Sequence, residues 1–271
     1  MRFRWQHTRA SVCVVNDNAK VISVRTQQRV DRRVAIVVGG SGGIGRAVSD
    51  RLAADGMAVV VHYHRGAGRA GETVSAIAAN GGTATAIGGD VADERDMAGL
   101  FQQAAQAYGG VDVVVNTAGV MVLAPVAQFD LDEFDRMHRI NVRGTFIVTQ
   151  LAAQHLRSGG ALINFSTSIT RLQTPTYAAY AATKGAVEAM TLVTARELRG
   201  RDVTVNTIAP GPTATPLFLE GKPERLIGRI AALSPMERIG SPDDIARAVA
   251  DLAGPARWVN GQTVFVNGGA A

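Results

Sequence analysis

The stretch VAIVVGGSGGIGRAVSDRLAADG, residues 34–56, decides the fold. It runs from a β-branched apolar segment through a glycine-rich turn into an amphipathic segment, the order that opens a βαβ unit. The turn can be read with two spacings, G-x-G-x-x-G at positions 40, 42 and 45, or G-x-x-x-G-x-G at positions 39, 43 and 45. Either spacing removes Cβ atoms where the backbone approaches a pyrophosphate at a helix N-terminus. This context predicts dinucleotide binding.

From residue 34 onward, short β-branched runs alternate with alanine-rich amphipathic runs, which is typical of a parallel sheet covered by helices on both faces. We expect strands at Val34–Val38, Ala58–Tyr63, Thr83–Gly88, Val111–Asn116, Ala161–Ser166, Val203–Ile208 and Thr263–Val266. We expect helices near 43–55, 67–80, 93–108, 131–157, 177–199 and 242–253. The sequence therefore predicts one α/β domain over residues 33–271, a doubly wound (Rossmann) sheet of about seven strands.

The pattern loosens between Pro210 and Pro235, where apolar residues mix with Gly and Pro. An insertion of this length in a compact domain is often a lid or a substrate loop. The alternative is a pair of surface helices that only packs against the body.

The net charge of +5 belongs to the start of the chain. Residues 1–33 carry eight basic and two acidic side chains, which leaves the rest one charge negative. No basic excess remains to attract a phosphate backbone, so we expect no nucleic-acid partner. Residues 1–32 lack an apolar run long enough for a signal peptide or membrane span, so we expect no membrane partner and a poorly ordered basic extension. A basic arm, a weak targeting segment and an upstream start codon all fit this extension.

Cysteine and histidine usage bears on compartment and metals. Cys13 is the single cysteine, so no intramolecular disulfide can form, and we expect a reducing cytoplasm. His62 and His64 form a close pair in a strand-like run without supporting carboxylates, a poor arrangement for a metal ion. We therefore expect no metal site.

The end of the second strand reports on the cofactor. An acidic residue about twenty positions after the glycine turn would bind the adenosine ribose of NAD, but Tyr63 stands there. Arg65 follows and Arg69 is nearby, so a 2′-phosphate would meet cations rather than repulsion. The sequence favours NADP(H) over NAD(H); the alternative is that both arginines are ordinary solvated residues.

The run TYAAYAATKGAVEAM, residues 176–190, contains two tyrosines and one of the three lysines of the chain. On a helix both Tyr177 and Tyr180 can approach Lys184, and Tyr180 is its i−4 neighbour. An ammonium near a phenol lowers a pKa that is about 10 when unperturbed. Such a tyrosine can donate a proton to a carbonyl oxygen or take one from an alcohol near neutral pH.

With these features the chain resembles the short-chain dehydrogenase/reductase family over about residues 33–269. The family's motifs occur in its order: GGSGGIG (39–45), GDV (89–91), NTAG (116–119), INV (140–142), FSTS (165–168), YAATK (180–184) and APGPTAT (209–215). In style the chain is most similar to bacterial 3-oxoacyl-thioester reductases.

The resemblance implies a role for each matching residue. Tyr180 would be the catalytic acid/base, Lys184 would lower its pKa and bind the nicotinamide ribose, and Asn141 would hold a relay water. Thr167 or Ser168 would orient the substrate carbonyl. The implied cofactor site comprises Gly39, Ser41, Gly43, Ile44, Gly45, Tyr63, Arg65, Asp90, Val91, Asn116, Ala118, Gly119, Tyr180, Lys184, Pro210, Gly211, Thr213 and Thr215.

Three positions depart from the family pattern. Val38 replaces the usual Thr before the glycine motif, which removes a hydroxyl that ties the turn. Gly42 stands where NADPH-using members often carry a basic residue. The family's serine that orients the substrate carbonyl usually lies thirteen residues before the catalytic tyrosine, and Thr167 holds that position here. Neighbouring residues at the end of a strand point in opposite directions, so Thr167 and Ser168 cannot both face the site unless the backbone turns there. Of the two we favour Ser168 slightly.

The expected function is reduction of a ketone of the 3-oxoacyl type to a secondary alcohol, with a small-molecule ketone or alcohol as substrate. The alternatives are a secondary-alcohol, polyol or steroid dehydrogenase, and a dinucleotide-binding sensor without catalysis. The resemblance also implies a homotetramer that uses the helices near 93–157 and 177–199.

Overall fold

The structure is a computed structural model that describes residues 32–271. Apart from Arg32, the expected basic extension of residues 1–32 therefore lies outside the described residues. The Arg32 guanidinium donates to Thr83 Oγ1 at the start of the third strand.

Within residues 32–271, seven parallel strands form one sheet, which confirms the predicted fold class. The strands are β1 (Val34–Val38), β2 (Ala58–Tyr63), β3 (Thr83–Gly88), β4 (Val111–Asn116), β5 (Leu156–Phe165), β6 (Thr204–Pro210) and β7 (Thr263–Val266). Their order across the sheet is β3-β2-β1-β4-β5-β6-β7. The strand order reverses between β1 and β4, because the chain builds the sheet outward from β1 first on one side and then on the other. Ligands of open α/β sheets bind outside the carboxyl ends of the strands at such a point.

The helices are α1 (Gly43–Ala54), α2 (Ala67–Ala79), α3 (Glu94–Tyr108), α4 (Leu131–His138), α5 (Gly144–His155), α6 (Ile169–Leu172), α7 (Ala178–Glu197), α8 (Pro216–Leu219), α9 (Glu224–Ala231) and α10 (Pro242–Ala253). Short 3-10 and π-helical segments occupy Val126–Gln128 and Arg139–Arg143. In the part of the chain that the structure describes, no helix is both long and apolar enough to cross a membrane.

The core has two halves because both faces of the sheet are covered. Val37 of β1 packs on one side with Leu52 of α1 and Val249 of α10. Its neighbour Ile36 faces the opposite side, with Leu100 of α3 and Val148 of α5. Every residue of β1 is buried, which explains the continuous apolar run that opens the domain.

Three expected boundaries were wrong. The helix expected over 131–157 is interrupted by the π-helical turn Arg139–Arg143 and ends at His155. β5 begins at Leu156 rather than Ala161, because a register shift against β4 adds an irregular first half. β6 runs from Thr204 to Pro210, later than the predicted Val203–Ile208.

Candidate active site

The glycine-rich turn between β1 and α1 follows the second of the two possible spacings. Gly39 has φ +76°, a conformation that favours glycine. A Cβ on Gly45 would lie 2.2 Å from the carbonyl oxygen of Gly39, and one on Gly43 would lie 2.9 Å from Thr215 Cγ2. At Gly42 an added Cβ would meet only the Gly39 carbonyl oxygen, at 3.3 Å. An added Cβ on Gly40 would lie 2.9 Å from the Val37 carbonyl oxygen. The structure therefore requires glycine at 39, 40, 43 and 45 and tolerates a side chain best at 42, a position that only the first spacing uses.

The N-terminus of α1 fits a pyrophosphate. Gly42 caps this helix without a side-chain hydrogen bond, and the first turn contains no acidic residue. Backbone N–H groups and the positive end of the helix dipole are thus free of competing side chains where an anion would bind.

Hydrogen bonds from the residue after β4 hold the start of the turn, where Val38 replaces the usual threonine and its hydroxyl is absent. Both the N–H (2.9 Å) and the hydroxyl (2.8 Å) of Thr117 donate to the Val38 carbonyl oxygen. The next residue, Ala118, has its N–H 3.0 Å from where a Cβ on Gly39 would lie. The start of the turn is therefore held by the segment after β4.

The end of β2 carries no acid. The ring of Tyr63 lies against Gly88, where an added Cβ would be 3.1 Å from two ring carbons. Arg65 is exposed. A Cβ on Gly66 would lie 2.8 Å from the Arg69 guanidinium and 3.1 Å from Ser41 Oγ. Arg69, noted in the sequence only as a neighbour, therefore approaches the glycine turn.

Asp90 and Val91 lie in the loop between β3 and α3. The Asp90 carboxylate accepts from the Arg139 guanidinium (2.7 Å) and from the N–H of Ala92 (2.9 Å). Val91 is 6% exposed and packs against Gly144 at the start of α5. Both residues lie at the same edge of the sheet as the glycine turn.

The segment after β4 crosses towards the catalytic helix. Asn116, at the end of β4, is buried, and its Nδ2 donates to Thr145 Oγ1 over 3.0 Å. A Cβ on Gly119 would lie 3.3 Å from Asn141 Oδ1 and 3.4 Å from Lys184 Nζ. Gly119 thus lets two of the expected catalytic side chains approach this segment.

Tyr180 and Lys184 lie one turn apart on α7, 9% and 5% exposed. Lys184 Nζ donates to the Phe165 carbonyl oxygen over 2.9 Å and lies 5.8 Å from the centroid of the Tyr180 ring. Tyr177 precedes the helix, with its ring centroid 6.5 Å from that of Tyr180 in an edge-on arrangement.

The pKa of Tyr180 shifts in the direction opposite to the expected one. Burial, followed by the neighbouring Tyr177, raises the pKa of Tyr180 well above its ordinary value. Burial also lowers the pKa of Lys184 to about 8. Burial therefore sets the direction of both pKa shifts in the protein without cofactor, and the lowering of the phenol pKa by Lys184 stays a prediction for the protein with bound cofactor.

Asn141 lies on the π-helical turn between α4 and α5. Its Oδ1 accepts from the N–H of Val120, and its Nδ2 donates to the carbonyl oxygen of Val120 and to Thr183 Oγ1. The turn thereby joins the segment after β4 to the catalytic helix. Such turns inside α-helices are frequent at functional sites.

The two candidate hydroxyls point in different directions. Ser168 is 1% exposed, and its Oγ accepts from Asn267 Nδ2 (3.1 Å) and donates to the Ala209 carbonyl oxygen (3.4 Å). Thr167 is half-buried, and its hydroxyl only accepts a 3.4 Å bond from the N–H of Ile169. The structure therefore leaves the Thr167 hydroxyl more available, contrary to the slight preference for Ser168.

Glu188 is a residue of the site that the sequence motifs did not identify. Its Oε1 accepts from Ser166 Oγ (2.5 Å) and Thr170 Oγ1 (2.9 Å), on either side of Thr167. The only signal was its spacing, four residues after Lys184 and so on the same face of α7. It ties the segment between β5 and α6 to the catalytic helix.

The loop after β6 covers the glycine turn. Gly211 donates its N–H to Val266 in β7, and Thr213 Oγ1 donates to the Gly211 carbonyl oxygen. Thr215 caps α8 and places its methyl group against Gly43. Pro210 ends β6, so this loop begins at the same sheet edge as the rest of the site.

These residues surround a pocket of about 290 Å³. Its lining includes Ile44, Gly119 and Thr213 together with Thr167, Tyr180 and Lys184. The segment 210–235 contributes apolar side chains to the wall, namely Leu217, Phe218, Ile230 and Leu233. Lys184 is the one charged residue among the described residues that line it.

Comparison with known proteins agrees with this geometry. A family model described as Enoyl-(Acyl carrier protein) reductase matches residues 39–271. A short-chain type dehydrogenase/reductase of Picea abies is 41% identical over 88% of this chain and 92% of its own. An Arabidopsis thaliana NADPH-dependent aldehyde reductase-like protein is 37% identical, covering 88% and 93%.

Solved structures show the same fold with a bound dinucleotide. A Burkholderia cenocepacia short-chain dehydrogenase in complex with NADP superposes with a TM-score of 0.83 at 35% identity, covering 88% of this chain and 97% of its own. This protein belongs to the short-chain dehydrogenase/reductase family.

Proposed function

We propose that the protein is an NADPH-dependent reductase that converts a neutral, largely apolar ketone to a secondary alcohol. The observation that carries this proposal is the convergence of Tyr180, Lys184 and Thr167 on one pocket that also reaches the glycine turn. A proton donor, a cation and a hydroxyl donor on one apolar cavity suit the polarisation and protonation of a carbonyl oxygen.

The bound dinucleotide would supply the hydride. The Tyr180 hydroxyl donates its proton to the carbonyl oxygen, and the Thr167 hydroxyl donates a second hydrogen bond to the same atom. The raised pKa of Tyr180 keeps the phenol protonated at neutral pH, the state that a proton donor must have before the transfer.

Lys184 and Asn141 support the proton donor. Lys184 Nζ uses one donor on the Phe165 carbonyl oxygen and has others for a ribose hydroxyl. The Asn141 side chain is used on Val120 and Thr183, so a relay water would bind its main-chain carbonyl oxygen. That oxygen accepts from Thr145 Oγ1 and has a second lone pair.

The preference for NADPH rests on the end of β2. No carboxylate is present there to repel a 2′-phosphate, and Arg69 lies beside Ser41 of the glycine turn. A relative named as an NADPH-dependent reductase and neighbours solved with NADP or NADPH support the same choice.

The pocket wall favours an uncharged substrate. Apart from Lys184, which would bind the nicotinamide ribose, its lining offers no cationic partner for a substrate carboxylate or phosphate near the reacting carbon. A 3-oxoacyl thioester fits only with its charged portion outside the pocket. A polyol fits poorly, because an apolar wall leaves its hydroxyls unpaired; a steroid-type alcohol or aryl ketone remains a second candidate on this basis.

We also propose that the protein works as a homotetramer in the cytoplasm. Phe146 on α5, Val193 on α7 and the fully exposed Trp258 present apolar surface to solvent. Light scattering that gives four times the chain mass of 28.4 kDa supports this, and a monomer mass contradicts it.

A substrate panel tests the proposal. NADPH oxidation is followed with a short 3-oxoacyl thioester, an apolar cyclic ketone, an aromatic aldehyde and a 3-oxo carboxylate of equal length. We expect the neutral carbonyls to be reduced and the carboxylate to be reduced at least tenfold more slowly. Binding of NADPH with no turnover of any carbonyl or secondary alcohol would favour a non-catalytic sensor.

A further inference from the structure

His62 is a buried histidine that neither the glycine motif nor the catalytic motif contains. It lies next to the end of β2 and is 2% exposed. Its Nδ1 is 3.2 Å from the main-chain nitrogen of Gly39, and its Nε2 is 3.0 Å from the carbonyl oxygen of Gly89. One imidazole thus connects the start of the glycine turn to the loop after β3.

The two partners determine the tautomer of this imidazole. The Gly39 N–H can only donate, so Nδ1 must accept, and the Gly89 carbonyl can only accept, so Nε2 must carry the proton. Burial lowers the pKa of His62 to about 4, against the opposing effect of its bond to Gly89. The charged or titratable groups that influence it are His64 on its own side of the sheet and Asp90 and Asp96 beyond the end of β3. Both ring nitrogens are therefore used by the neutral form.

The two connected segments are those that would contact the pyrophosphate at the centre of a dinucleotide and the adenine at one end of it. Gly39 begins the turn that faces the pyrophosphate, and Gly89 directly precedes Asp90 and Val91, the pair expected at the adenine. The Gly89 N–H also donates to the Tyr63 carbonyl oxygen over 2.9 Å, so this residue is held on both sides. The imidazole is the side-chain link between the two loops.

We propose that His62 is a positioning residue for the dinucleotide, whose imidazole fixes the glycine turn relative to the adenine loop and so preforms the cofactor groove. The inference rests on the proposed dinucleotide function. A preformed groove avoids the cost of ordering two loops on binding, so loss of the link weakens cofactor affinity and leaves the chemical step intact.

Three variants separate the two hydrogen bonds. In His62→Asn the Oδ1 lies near the former Nδ1 and retains the Gly39 bond, whereas in His62→Gln the Nε2 reaches towards Gly89. His62→Leu removes both bonds. His155→Asn is the matched control, because His155 is exposed at the end of α5. Dissociation constants for NADPH and NADH are measured by fluorescence titration, with KM and kcat for the best substrate.

We expect His62→Asn and His62→Gln to weaken both dinucleotides about 3- to 10-fold, and His62→Leu about 30-fold or more, as for one and two lost hydrogen bonds. The value of kcat at saturating cofactor should stay within twofold, and His155→Asn should match the parent. Unchanged dissociation constants for His62→Leu, or a loss confined to kcat, overturn the inference. If the unsubstituted protein binds neither dinucleotide, the proposed function falls with it.

If the variants fail to fold, a spectroscopic measurement on the unsubstituted protein still tests the inference. With 15N-labelled imidazoles, His62 should show the Nε2–H tautomer at pH 7 and a signal that shifts when NADPH is added. The five histidines of the chain allow assignment by substituting the other four. An Nδ1–H tautomer, or no response to NADPH, contradicts the inference.

Discussion

The ammonium nitrogen of Lys184 and the main-chain carbonyl oxygen of Phe165 are 2.9 Å apart, inside the protein and at the edge of the sheet. The bond joins the catalytic helix α7 to the end of β5. Lys184 is 5% exposed, and its lowered pKa of about 8 shows that burial opposes the charge. A group that is unfavourable for the folded protein at this position points to a functional role.

Lys184→Met should therefore stabilise the protein and inactivate it. At pH 7 the buried ammonium costs the folded state about 1–3 kcal/mol, and a methionine of similar length removes this cost. We expect the melting temperature to rise by a few degrees while turnover falls at least 100-fold.

Calorimetry and steady-state kinetics measure both effects, and Lys222→Met serves as the control. Lys222 lies outside the pocket lining, donates to the Phe218 carbonyl oxygen and is half-buried. A large loss of stability in Lys184→Met, with Lys222→Met unchanged, would show that Lys184 is mainly structural.

Thr167 should supply the hydrogen bond to the substrate. Thr167→Ala should lower kcat/KM about 10- to 100-fold, because the donor aimed at the carbonyl is lost. Thr167→Ser should retain activity within a few-fold. Ser168→Ala should instead reduce stability by about 1 kcal/mol with little effect on kcat, since its hydroxyl bonds Asn267 and Ala209. A larger kinetic effect at Ser168 than at Thr167 would reverse this assignment.

Arg69 should decide between the two dinucleotides. Arg69→Gln removes the cation next to Ser41, so we expect the ratio of NADPH to NADH affinity to fall about 10-fold, with NADH affinity nearly unchanged. Arg65→Gln should have a smaller effect. Arg95→Gln, an exposed arginine in the first turn of α3, is the control. Equal losses for both dinucleotides would argue against recognition of a 2′-phosphate.

Stability should decline in mild acid through His62. Its pKa in the folded protein is about 4, below the ordinary value of 6.5, so the unfolded chain takes up the proton first. Stability is lost as the pH falls from about 6.5 towards 4, by up to ~3 kcal/mol. Lys184 does not contribute to the loss of stability over this pH range, because it is protonated in both the folded and the unfolded protein.

Urea denaturation between pH 7.5 and 4.5 measures this effect, and His62→Asn isolates it. The loss of stability in acid should be smaller in His62→Asn than in the unsubstituted protein, since the carboxylates contribute equally to the pH dependence of both. Identical pH dependence in the two proteins would show that His62 titrates normally.

Much of the fold followed from local patterns. Five strands, β1 to β4 and β7, have the predicted bounds, because each is a short run flanked by turn residues. The interruption at Arg139–Arg143 was missed because helical periodicity continues through it and only the hydrogen-bond pattern changes. The early start of β5 depends on pairing with β4, which local sequence does not encode.

Spacing identified which residues meet at the site but not their side-chain directions or charge balance. The i−4 spacing placed Tyr180 beside Lys184, yet the direction of the pKa shift depends on burial by other elements. The difference between Thr167 and Ser168 depends on Asn267, a residue distant in sequence. His62 and Glu188 act through such long-range bonds as well, which explains why the motifs did not reveal them.

The most direct test of the central claim is the loss of NADPH absorbance, and separately of NADH absorbance, with a short 3-oxoacyl thioester and an apolar cyclic ketone. The unsubstituted protein and Tyr180→Phe are compared. We expect faster oxidation of NADPH than of NADH, and at least a 1,000-fold loss of turnover in Tyr180→Phe with unchanged dinucleotide binding. Turnover that survives in Tyr180→Phe, or bound NADPH that reduces no carbonyl compound, would contradict the proposed mechanism.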